Sequence, residues 1–535
     1  MKSIKKFLAV ILSMTLMLTL GTAAFGAQKT LPSGKDTGSI NVTNLKPGDT
    51  VTAYQFVKAD YNEYGFTGYS AINNYVKDPV APTAQEVIDM ASNAATMTVA
   101  AEKKVATGDT EVTLNGLPVG YYLVMVTSGS ETVYSPMIAG IYYSKSATDN
   151  TLTNGAISAD SDFEIKAQKC WAKSSTPKLE KTIVTPSSKN SKGDDIAIGD
   201  KITFNLSATV PSYSKEYKKV TYKIYDIMSE GLDYVDGSMK CFIEKYENNR
   251  ENIKVTPKVN GGIIEITFDS KFILEHPGQK IQVEYQAKLN EKAGVNFDAN
   301  INKAYLEYSN NPASGSTAKT GEDKVYVYTF GIDSNLFGKS TEKWNEKTKE
   351  LIKVEEGEYQ WVETEKESGI FTTTTALEGA TFTLTNNKTK KSYTATSDKY
   401  GYLKFTGLDA GEYTLQETDA PDGFTLNDAK HTVVITAEYN QDGTLKSYTI
   451  KIDDKATSTY TATYDKGVIK TITSTKDSQG NISESAILKN SKMSFLPSTG
   501  GVGTTIFAIV GVVFVAVALG LHMILRGKSK LEQDR

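Results

Sequence analysis

Residues 411–419 read Gly-Glu-Tyr-Thr-Leu-Gln-Glu-Thr-Asp, and apolar and polar residues alternate along them. Tyr413 and Leu415 are apolar and two positions apart, as residues are on one face of a β-strand. Glu417 continues the same face, so the pattern predicts a strand that carries a carboxyl group into a core. A buried ionisable group is normally neutral, paired or functional, because burying an unpaired charge costs several kcal/mol.

The turn before this strand occurs twice in the chain. Residues 407–413 read Gly-Leu-Asp-Ala-Gly-Glu-Tyr, and residues 116–122 read Gly-Leu-Pro-Val-Gly-Tyr-Tyr. The shared pattern is a turn followed by a strand, which predicts two related immunoglobulin-like sandwiches. Val126 stands in the first copy where Glu417 stands in the second, so the first sandwich is expected to lack the acid.

Composition supports an all-β chain and excludes several functions. The 535 residues allow three or four domains at ~150 residues each, and 30 Tyr with 41 Gly favour strands joined by tight turns. Three histidines exclude a histidine-based metal centre or catalytic triad. No Gly-rich phosphate loop follows a strand, so we expect no cofactor and assign no metal site. Bound Ca²⁺ among the many Asp and Asn turns stays an open alternative, although no EF-hand spacing supports it.

The two ends of the chain predict export and wall sorting. Residues 1–27 have the charged, apolar and small-residue order of a signal peptide, with cleavage between Ala24 and Ala27. Residues 496–500 read Leu496-Pro497-Ser498-Thr499-Gly500 and precede an apolar run, residues 504–525, and a basic tail. The formal net charge of the whole chain is −4. The two terminal segments that are expected to be removed, one on export and one on sorting, are both basic. The mature protein is therefore acidic and a poor nucleic-acid binder.

The predicted organisation is a signal peptide (1–27), three strand-rich blocks (28–172, 173–325 and 326–492), a sorting signal (493–500), and a membrane span with a basic tail (501–535). The first block has one helical interruption, marked by the capping-box spacing of Thr83 and Glu86. The charged stretch 340–368 is expected to be a solvated hairpin or loop. An exported chain permits a disulfide between Cys170 and Cys241, and the alternative is two buried thiols.

The middle block also places polar groups on apolar strand faces. Lys181 lies between Leu179 and Ile183, Asp226 ends a face that begins at Val220, and Asn302 opens the face of Ala304 and Leu306. The last block contains the same three residue types. Its acid is Glu417, its asparagine is Asn490, which follows Ala486 and Leu488 on one face, and its lysine is Lys339, near the first strand.

A lysine, a carboxyl group and an asparagine in one core predict specific chemistry. Desolvation lowers the pKa of a buried lysine and makes it a neutral nucleophile. A carboxyl group in the same pocket is expected to stay protonated and to polarise the asparagine carbonyl for attack. The product would be a Lys-Asn amide, with loss of ammonia. The alternatives are a buried ion pair or a strand register other than the one inferred.

These motifs resemble those of a known family. Residues 411–424 look like the E-box of CnaB-type domains, and residues 177–181, 199–200, 225–232 and 302–308 resemble the second, isopeptide-forming domain of fimbrial subunits. With its sorting signal, the chain resembles the shaft subunit of a sortase-assembled Gram-positive pilus, built from tandem immunoglobulin-like domains of the CnaA and CnaB types. The resemblance implies extracellular, wall-anchored localisation after a membrane-bound precursor stage.

The resemblance also assigns roles to residues. Lys181 and Asn302 would be joined with Asp226 as the acid, and Lys339 and Asn490 with Glu417 as the acid; Lys343 is the substitute for Lys339. No cross-link is expected in the first domain. Such a protein is not an enzyme apart from these single-turnover reactions.

Polymerisation in this family joins the sorting-signal threonine, here Thr499, to a lysine in a Tyr-Pro-Lys motif. That motif is absent here, so the expected linking lysine is Lys169, followed by Lys173 and Lys166. The implied partners are pilus-class and housekeeping sortases, other copies of the chain, tip and base pilins, peptidoglycan and host surface ligands. The alternatives are a wall-anchored adhesin or minor pilin that does not polymerise, and a wall-bound hydrolase.

Overall fold

The computed structural model describes residues 31–128, 131–144, 157–158, 163–184, 186–246, 249–332, 337–340, 349–355, 358–363, 373–375, 377–453, 456–475 and 486–489. These residues form mainly β-strands, which group into three successive units. The all-β fold predicted from the sequence is confirmed.

The first unit is a sandwich of a three-stranded sheet, in the order β10-β1-β5, and a larger sheet, β3-β2-β6-β8-β9, with β4 beside β2. Its elements are β1 (Thr37–Thr43), β2 (Thr50–Asn62), β3 (Gly65–Ala71), helix α1 (Ala84–Ser92), a 3-10 turn (Ala94–Thr96), β4 (Val99–Lys104), β5 (Glu111–Pro118), β6 (Gly120–Thr127), β7 (Val133–Tyr134), β8 (Met137–Ser144), β9 (Glu164–Ala167), β10 (Lys169–Trp171) and β11 (Ser174–Ser175).

Helix α1 begins where the capping-box spacing predicts. The Glu86 backbone N–H donates to the Thr83 hydroxyl at 3.2 Å, and the Thr83 backbone N–H donates to the Glu86 carboxylate at 2.7 Å. Two of the otherwise unpaired donors at the helix start are thereby satisfied. Val87 and Ile88 on the inner face of the helix are buried.

The second unit contains the site described below. Its two sheets have the orders β12-β14-β21-β17-β18, with β16 beside β21, and β13-β24-β22-β15-β20-β19, with β23 beside β22. Its elements are β12 (Leu179–Ile183), β13 (Gly193–Asp195), β14 (Lys201–Thr209), β15 (Tyr222–Met228), β16 (Leu232–Tyr234), β17 (Lys240–Tyr246), β18 (Asn249–Ile253), β19 (Lys258–Asn260), β20 (Ile263–Thr267), helix α2 (Ser270–Glu275), β21 (Lys280–Leu289), β22 (Asn300–Asn311), β23 (Ser316–Lys319) and β24 (Asp323–Tyr328). Strand β24 crosses the boundary expected at residue 325, because its pairing with β13 and β22 continues to Tyr328.

The third unit is built on a seven-stranded sheet, β31-β30-β33-β34-β35-β36-β37. Its strands are β25 (Phe330–Ile332), β26 (Phe337–Ser340), β27 (Lys349–Glu355), β28 (Glu358–Glu363), β29 (Thr373–Thr375), β30 (Thr381–Asn386), β31 (Ser392–Thr396), β32 (Phe405–Leu408), β33 (Gly411–Asp419), β34 (Lys430–Tyr439), β35 (Leu445–Ile452), β36 (Ala456–Asp465), β37 (Val468–Thr475) and β38 (Ala486–Lys489). The charged stretch contains an antiparallel hairpin of β27 and β28, as the hairpin interpretation predicted.

The internal repeat has the same geometry in the first and third units. The Tyr122 hydroxyl donates to the Pro118 carbonyl at 2.5 Å, and the Tyr413 hydroxyl donates to the Asp409 carbonyl at 2.8 Å. The glycine that opens each copy has positive φ, 71° and 78°, a region that favours glycine. In both copies the tyrosine therefore fixes the turn to the start of a buried strand.

A buried carboxylate lies at the junction of the second and third units. Asp195 of β13 accepts hydrogen bonds from the Tyr439 hydroxyl at 2.6 Å and from the Ala410 backbone N–H. Burial raises the pKa of Asp195 to about 6, and the nearby Asp194 and Asp409 also raise it, although both hydrogen bonds oppose the shift. The second and third units thus meet around a carboxyl group that binds a proton more readily than it would in water.

We predict that this junction stabilises the protein most at low pH. The pKa of Asp195 is higher in the folded state than its ordinary 3.8, so protonation of Asp195 favours the folded state. This contribution to the free energy of unfolding is complete below pH 3.8 and is lost as the pH rises through about 6. Thermal unfolding from pH 4 to 7 should show the wild-type midpoint falling relative to Asp195→Asn, with a free-energy change of roughly 3 kcal/mol. Replacement of the exposed Asp233 by Asn is the control. A parallel profile for wild type and Asp195→Asn would contradict the prediction.

The two cysteines are free thiols rather than a disulfide. Cys170 of β10 is packed in the core of the first unit, and Cys241 of β17 in the core of the second. The pairing considered from the sequence is therefore corrected, because the two side chains belong to separate cores. Burial raises the pKa of each thiol to about 12.

Both thiols should resist modification in the native protein. A thiol must ionise to react with a disulfide reagent, and these two are buried and hold their protons at neutral pH. Labelling with 5,5′-dithiobis(2-nitrobenzoate) at pH 8 should be slow in buffer and should reach both cysteines in guanidinium. Rapid labelling of the native chain, or a mass change on reduction, would contradict this.

Candidate functional site

Four polar side chains meet between the two sheets of the second unit. Lys181 of β12 and Tyr285 of β21 come from one sheet, and Asp226 of β15 and Asn302 of β22 come from the other. All four are buried, with 0–1% of the residue surface exposed. The predicted trio is therefore brought together, and a tyrosine that the sequence analysis did not select joins it.

Strand periodicity explains why these residues point inward. Strands β12 and β15 alternate buried and partly exposed residues, and Lys181 and Asp226 occupy buried positions in them. Strands β15 and β22 pair in antiparallel register, with Asp226 opposite Ala304 and Met228 opposite Asn302. This register sets the carboxyl and the amide on the same inner face.

The tyrosine hydroxyl links the other three groups. The Lys181 ammonium contacts the Asp226 carboxylate in a short ion pair, and its Nζ lies 3.1 Å from Tyr285 Oη. Tyr285 Oη donates to Asp226 Oδ1 at 2.6 Å and accepts from Asn302 Nδ2 at 2.7 Å. The amine and the amide thus share one hydroxyl group.

Desolvation makes the Lys181 ammonium easier to deprotonate than that of an exposed lysine. It lowers the pKa of Lys181, and the adjacent Asp226 opposes this effect only in part. Burial, followed by the negative charge of Asp226 and its hydrogen bond, raises the pKa of Tyr285 well above its ordinary value. The ring centroids of Phe204 and Tyr285 lie 5.0 and 5.3 Å from Lys181 Nζ, and the two rings help to shield it from solvent.

The Asn302 amide is held at its nitrogen only. Its Oδ1 is a buried oxygen without a hydrogen-bond partner in the described part of the chain. An unpaired buried carbonyl oxygen is unfavourable in the resting state, because it loses its hydrogen bonds to water. Attack on the amide carbon would convert that oxygen into a stronger hydrogen-bond acceptor.

In the third unit the structure places only part of the predicted set. Glu417 of β33 is 2% exposed and accepts the Asn427 backbone N–H at 2.8 Å. Strands β26 and β38 are parallel, with Lys339 opposite Leu488. Asn490, directly after β38, and Lys343 lie outside the described residues.

The candidate linking lysines lie at the end of the first unit. Lys169 and Lys173 are exposed, and Lys166 is half-buried. Strand β10 pairs in parallel with β1, with Lys169 opposite Asn41. Trp171, two residues along the same strand, is 62% exposed.

The sorting motif, Leu496-Pro497-Ser498-Thr499-Gly500, and the apolar run after it fall outside the described residues. Among the helices that are described, none has the length and hydropathy needed to cross a bilayer. Among the same residues, no three or more His, Cys, Asp and Glu side chains are grouped so that they could hold a metal ion.

Three family models match the sequence. A T6 antigen Ig-like domain covers residues 35–174, a SpaA prealbumin-like fold domain covers 360–453, and an LPXTG cell wall anchor motif covers 489–530. The anchor match includes the predicted sorting motif and the apolar run after it. Together these matches support the predictions of immunoglobulin-like domains and of wall sorting.

Whole-chain comparisons agree with these matches. The trypsin-resistant surface T6 protein of Streptococcus pyogenes serotype M6 is 26% identical over 93% of this chain and 96% of its own length. The structure of the T6 backbone pilin of serotype M6 S. pyogenes superposes with a TM-score of 0.57 at 21% identity, covering 86% of this chain and all of that one. The full-length major pilin SpaD of Corynebacterium diphtheriae has a TM-score of 0.46 at 16% identity, covering 88% and 100% of the two chains.

The predicted cell-surface localisation is confirmed by the anchor motif and by the streptococcal surface homologue. Similarity to that homologue extends over all three units. The chain is a cell wall-anchored surface protein that is homologous over most of its length to a streptococcal surface protein and shares the fold of the T6 backbone pilin.

Proposed function

We propose that this protein is the major structural subunit of a covalently polymerised pilus, and that it stabilises itself with internal Lys-Asn isopeptide bonds. The observation that carries the proposal is the buried set of Lys181, Asp226 and Asn302, since a lysine deep in a core requires an exceptional reason. The anchor motif and the pilin homology supply the context.

In the proposed internal reaction, neutral Lys181 Nζ attacks Cγ of Asn302. A C–N bond forms, Nδ2 leaves as ammonia, and an amide replaces the side-chain amine and the primary amide. Asp226, in contact with Nζ, is the acid–base group that takes the ammonium proton and leaves the amine neutral before attack. The proton that Nζ then loses as it bonds to Cγ is the one that Nδ2 gains to leave as ammonia. The reaction occurs once per molecule, because its reactants are consumed.

A second bond of this type would join Lys339 and Asn490, with Glu417 as the acid. Parallel pairing of β26 and β38 supports it, because this pairing brings the backbone of Lys339 beside the strand that ends just before Asn490. The first unit has the apolar Val126 at the position that corresponds to Glu417. We therefore expect two internal bonds in the chain and none in the first unit.

Assembly would use sortase enzymes. A sortase cysteine attacks the Thr499 carbonyl, Gly500 leaves with the membrane anchor, and a lysine amine of another subunit resolves the acyl-enzyme. Exposed Lys169 is the proposed linking residue, with Lys173 and Lys166 as alternatives. A housekeeping sortase then transfers the finished polymer to peptidoglycan, and tip and base pilins complete it.

The second candidate function is a wall-anchored adhesin or minor pilin that does not polymerise. It is favoured by one observation, the absence of a Tyr-Pro-Lys motif from residues 163–173. The two functions differ in whether the chain occurs in covalent multimers.

The internal bonds predict a mass deficit. Recombinant residues 28–499 should be lighter than the sequence mass by two molecules of ammonia, and tryptic digestion should yield a branched peptide joining Lys181 to Asn302. Replacement of Lys181 by Met should restore one ammonia, because the amine is lost. Replacement of Lys223, which pairs with Glu265 at the surface of the same unit, is the control and should leave the deficit intact. Full sequence mass in the wild type would refute the cross-links.

Polymerisation predicts a ladder in boiled cell-wall extracts. An immunoblot with antibody against residues 28–499 should show high-mass species that resist SDS. Lys169→Ala should collapse the ladder to a monomer, whereas Lys178→Ala, a change of an exposed lysine outside the candidate group, should not. If the wild type gives only a monomer band, the protein is not a shaft subunit and the adhesin function is favoured. A ladder that survives Lys169→Ala would move the linkage to Lys173 or Lys166.

A further inference from the structure

Tyr285 has contacts that a packing role does not require. Its hydroxyl lies within hydrogen-bonding distance of the attacking amine of Lys181, the leaving nitrogen of Asn302 and the carboxylate of Asp226. Other tyrosines of the same core lack such a set: among the residues that the structure describes, the buried Tyr222 hydroxyl has no hydrogen-bond partner. The position of Tyr285 is therefore specific to the reacting groups.

We propose that Tyr285 is a further catalytic residue, whose hydroxyl transfers one proton from Lys181 Nζ to Asn302 Nδ2 during cross-linking. This inference rests on the internal bond proposed above. It adds a role that the lysine, acid and asparagine do not fill, namely delivery of a proton to the leaving group.

The proton balance of the reaction creates this need. When neutral Nζ bonds to Cγ, it carries one proton too many, and Nδ2 must gain one proton to leave as ammonia. In the tetrahedral adduct Nδ2 regains an available lone pair. Tyr285 Oη, once its O–H has turned from Asp226 towards Nδ2, can give its own proton there as it accepts the first, so the phenol ends as it began. No external acid, base or co-reactant is consumed.

Asp226 alone does not provide this path. Its Oδ2 contacts Lys181 Nζ and its Oδ1 accepts the Tyr285 hydroxyl, while the hydrogen bond from Asn302 Nδ2 goes to the tyrosine. The carboxyl therefore reaches the leaving nitrogen through the phenol. Bulk water is an unsuitable substitute, because all four residues are sealed from solvent.

Transfer through the phenol has to be concerted. Burial and the adjacent carboxylate raise the pKa of Tyr285 well above its ordinary value, so a free phenolate is strongly disfavoured. Gain of one proton and loss of another in the same step avoid that charge. The hydrogen bond to Asp226 holds the hydroxyl in place before the reaction begins.

The test compares Tyr285→Phe with wild type in residues 28–499. The substitution keeps the ring and removes only the hydroxyl group. Intact mass is followed over time after cell-free synthesis, and circular dichroism monitors folding. We expect loss of the middle-unit ammonia to slow by at least ~100-fold, the lower range for general acid–base catalysis. Tyr222→Phe is the matched control and should react at the wild-type rate.

The outcomes separate this role from the cross-link itself. Rapid ammonia loss in both wild type and Tyr285→Phe would overturn the tyrosine role and leave the bond intact. No ammonia loss from the middle unit of wild type would overturn both. If Tyr285→Phe does not fold, 3-fluorotyrosine at position 285 keeps the packing and changes the acidity of the phenol. An altered rate would then support proton transfer, and an unchanged rate would refute it.

Discussion

The buried contact between Lys181 and Asp226 is the constraint on which the second unit depends. Two charges removed from water are stable only with close geometry and further hydrogen bonds, here supplied by Tyr285. The same removal lowers the pKa of the lysine and excludes water from an amide that it can attack. Features that are unfavourable for folding are thus those that the proposed reaction requires. An amide between Lys181 and Asn302 would remove the buried ammonium permanently.

Sequence reasoning could find three members of this site because each interrupts an apolar strand face. Lys181, Asp226 and Asn302 are conspicuous where strand periodicity places only core residues, and the structure puts all three in one core. Tyr285 could not be found this way, since tyrosine is an ordinary residue on such a face and only the three-dimensional arrangement shows what its hydroxyl touches. The state of the cysteines was equally hidden, because pairing depends on distances between cores that the sequence does not contain.

The first and third units share a structural feature but differ at a residue that the proposed cross-link requires. Both use a tyrosine hydroxyl to close the turn before a buried strand, at Tyr122 and Tyr413. Four residues later one strand has Val126 and the other Glu417, and both side chains are buried. The sandwich therefore accepts either an apolar residue or an acid at this position. The proposed capacity for cross-linking would then depend on a few side chains placed on a common fold.

The positions of Lys181 and Asn302 along the chain have a mechanical consequence. Lys181 lies in β12, where the chain enters the second unit, but Asn302 lies in β22, before β23 and β24 lead to the third. Once a bond joins the two residues, tension along the pilus would bypass residues 182–301. Residues 303–328 would still be free to extend by roughly 90 Å. They are held by antiparallel pairing of β22 with β23 and β24 and by parallel pairing of β24 with β13, contacts that force could separate. Under force, one segment of the second unit would not extend and a shorter one would.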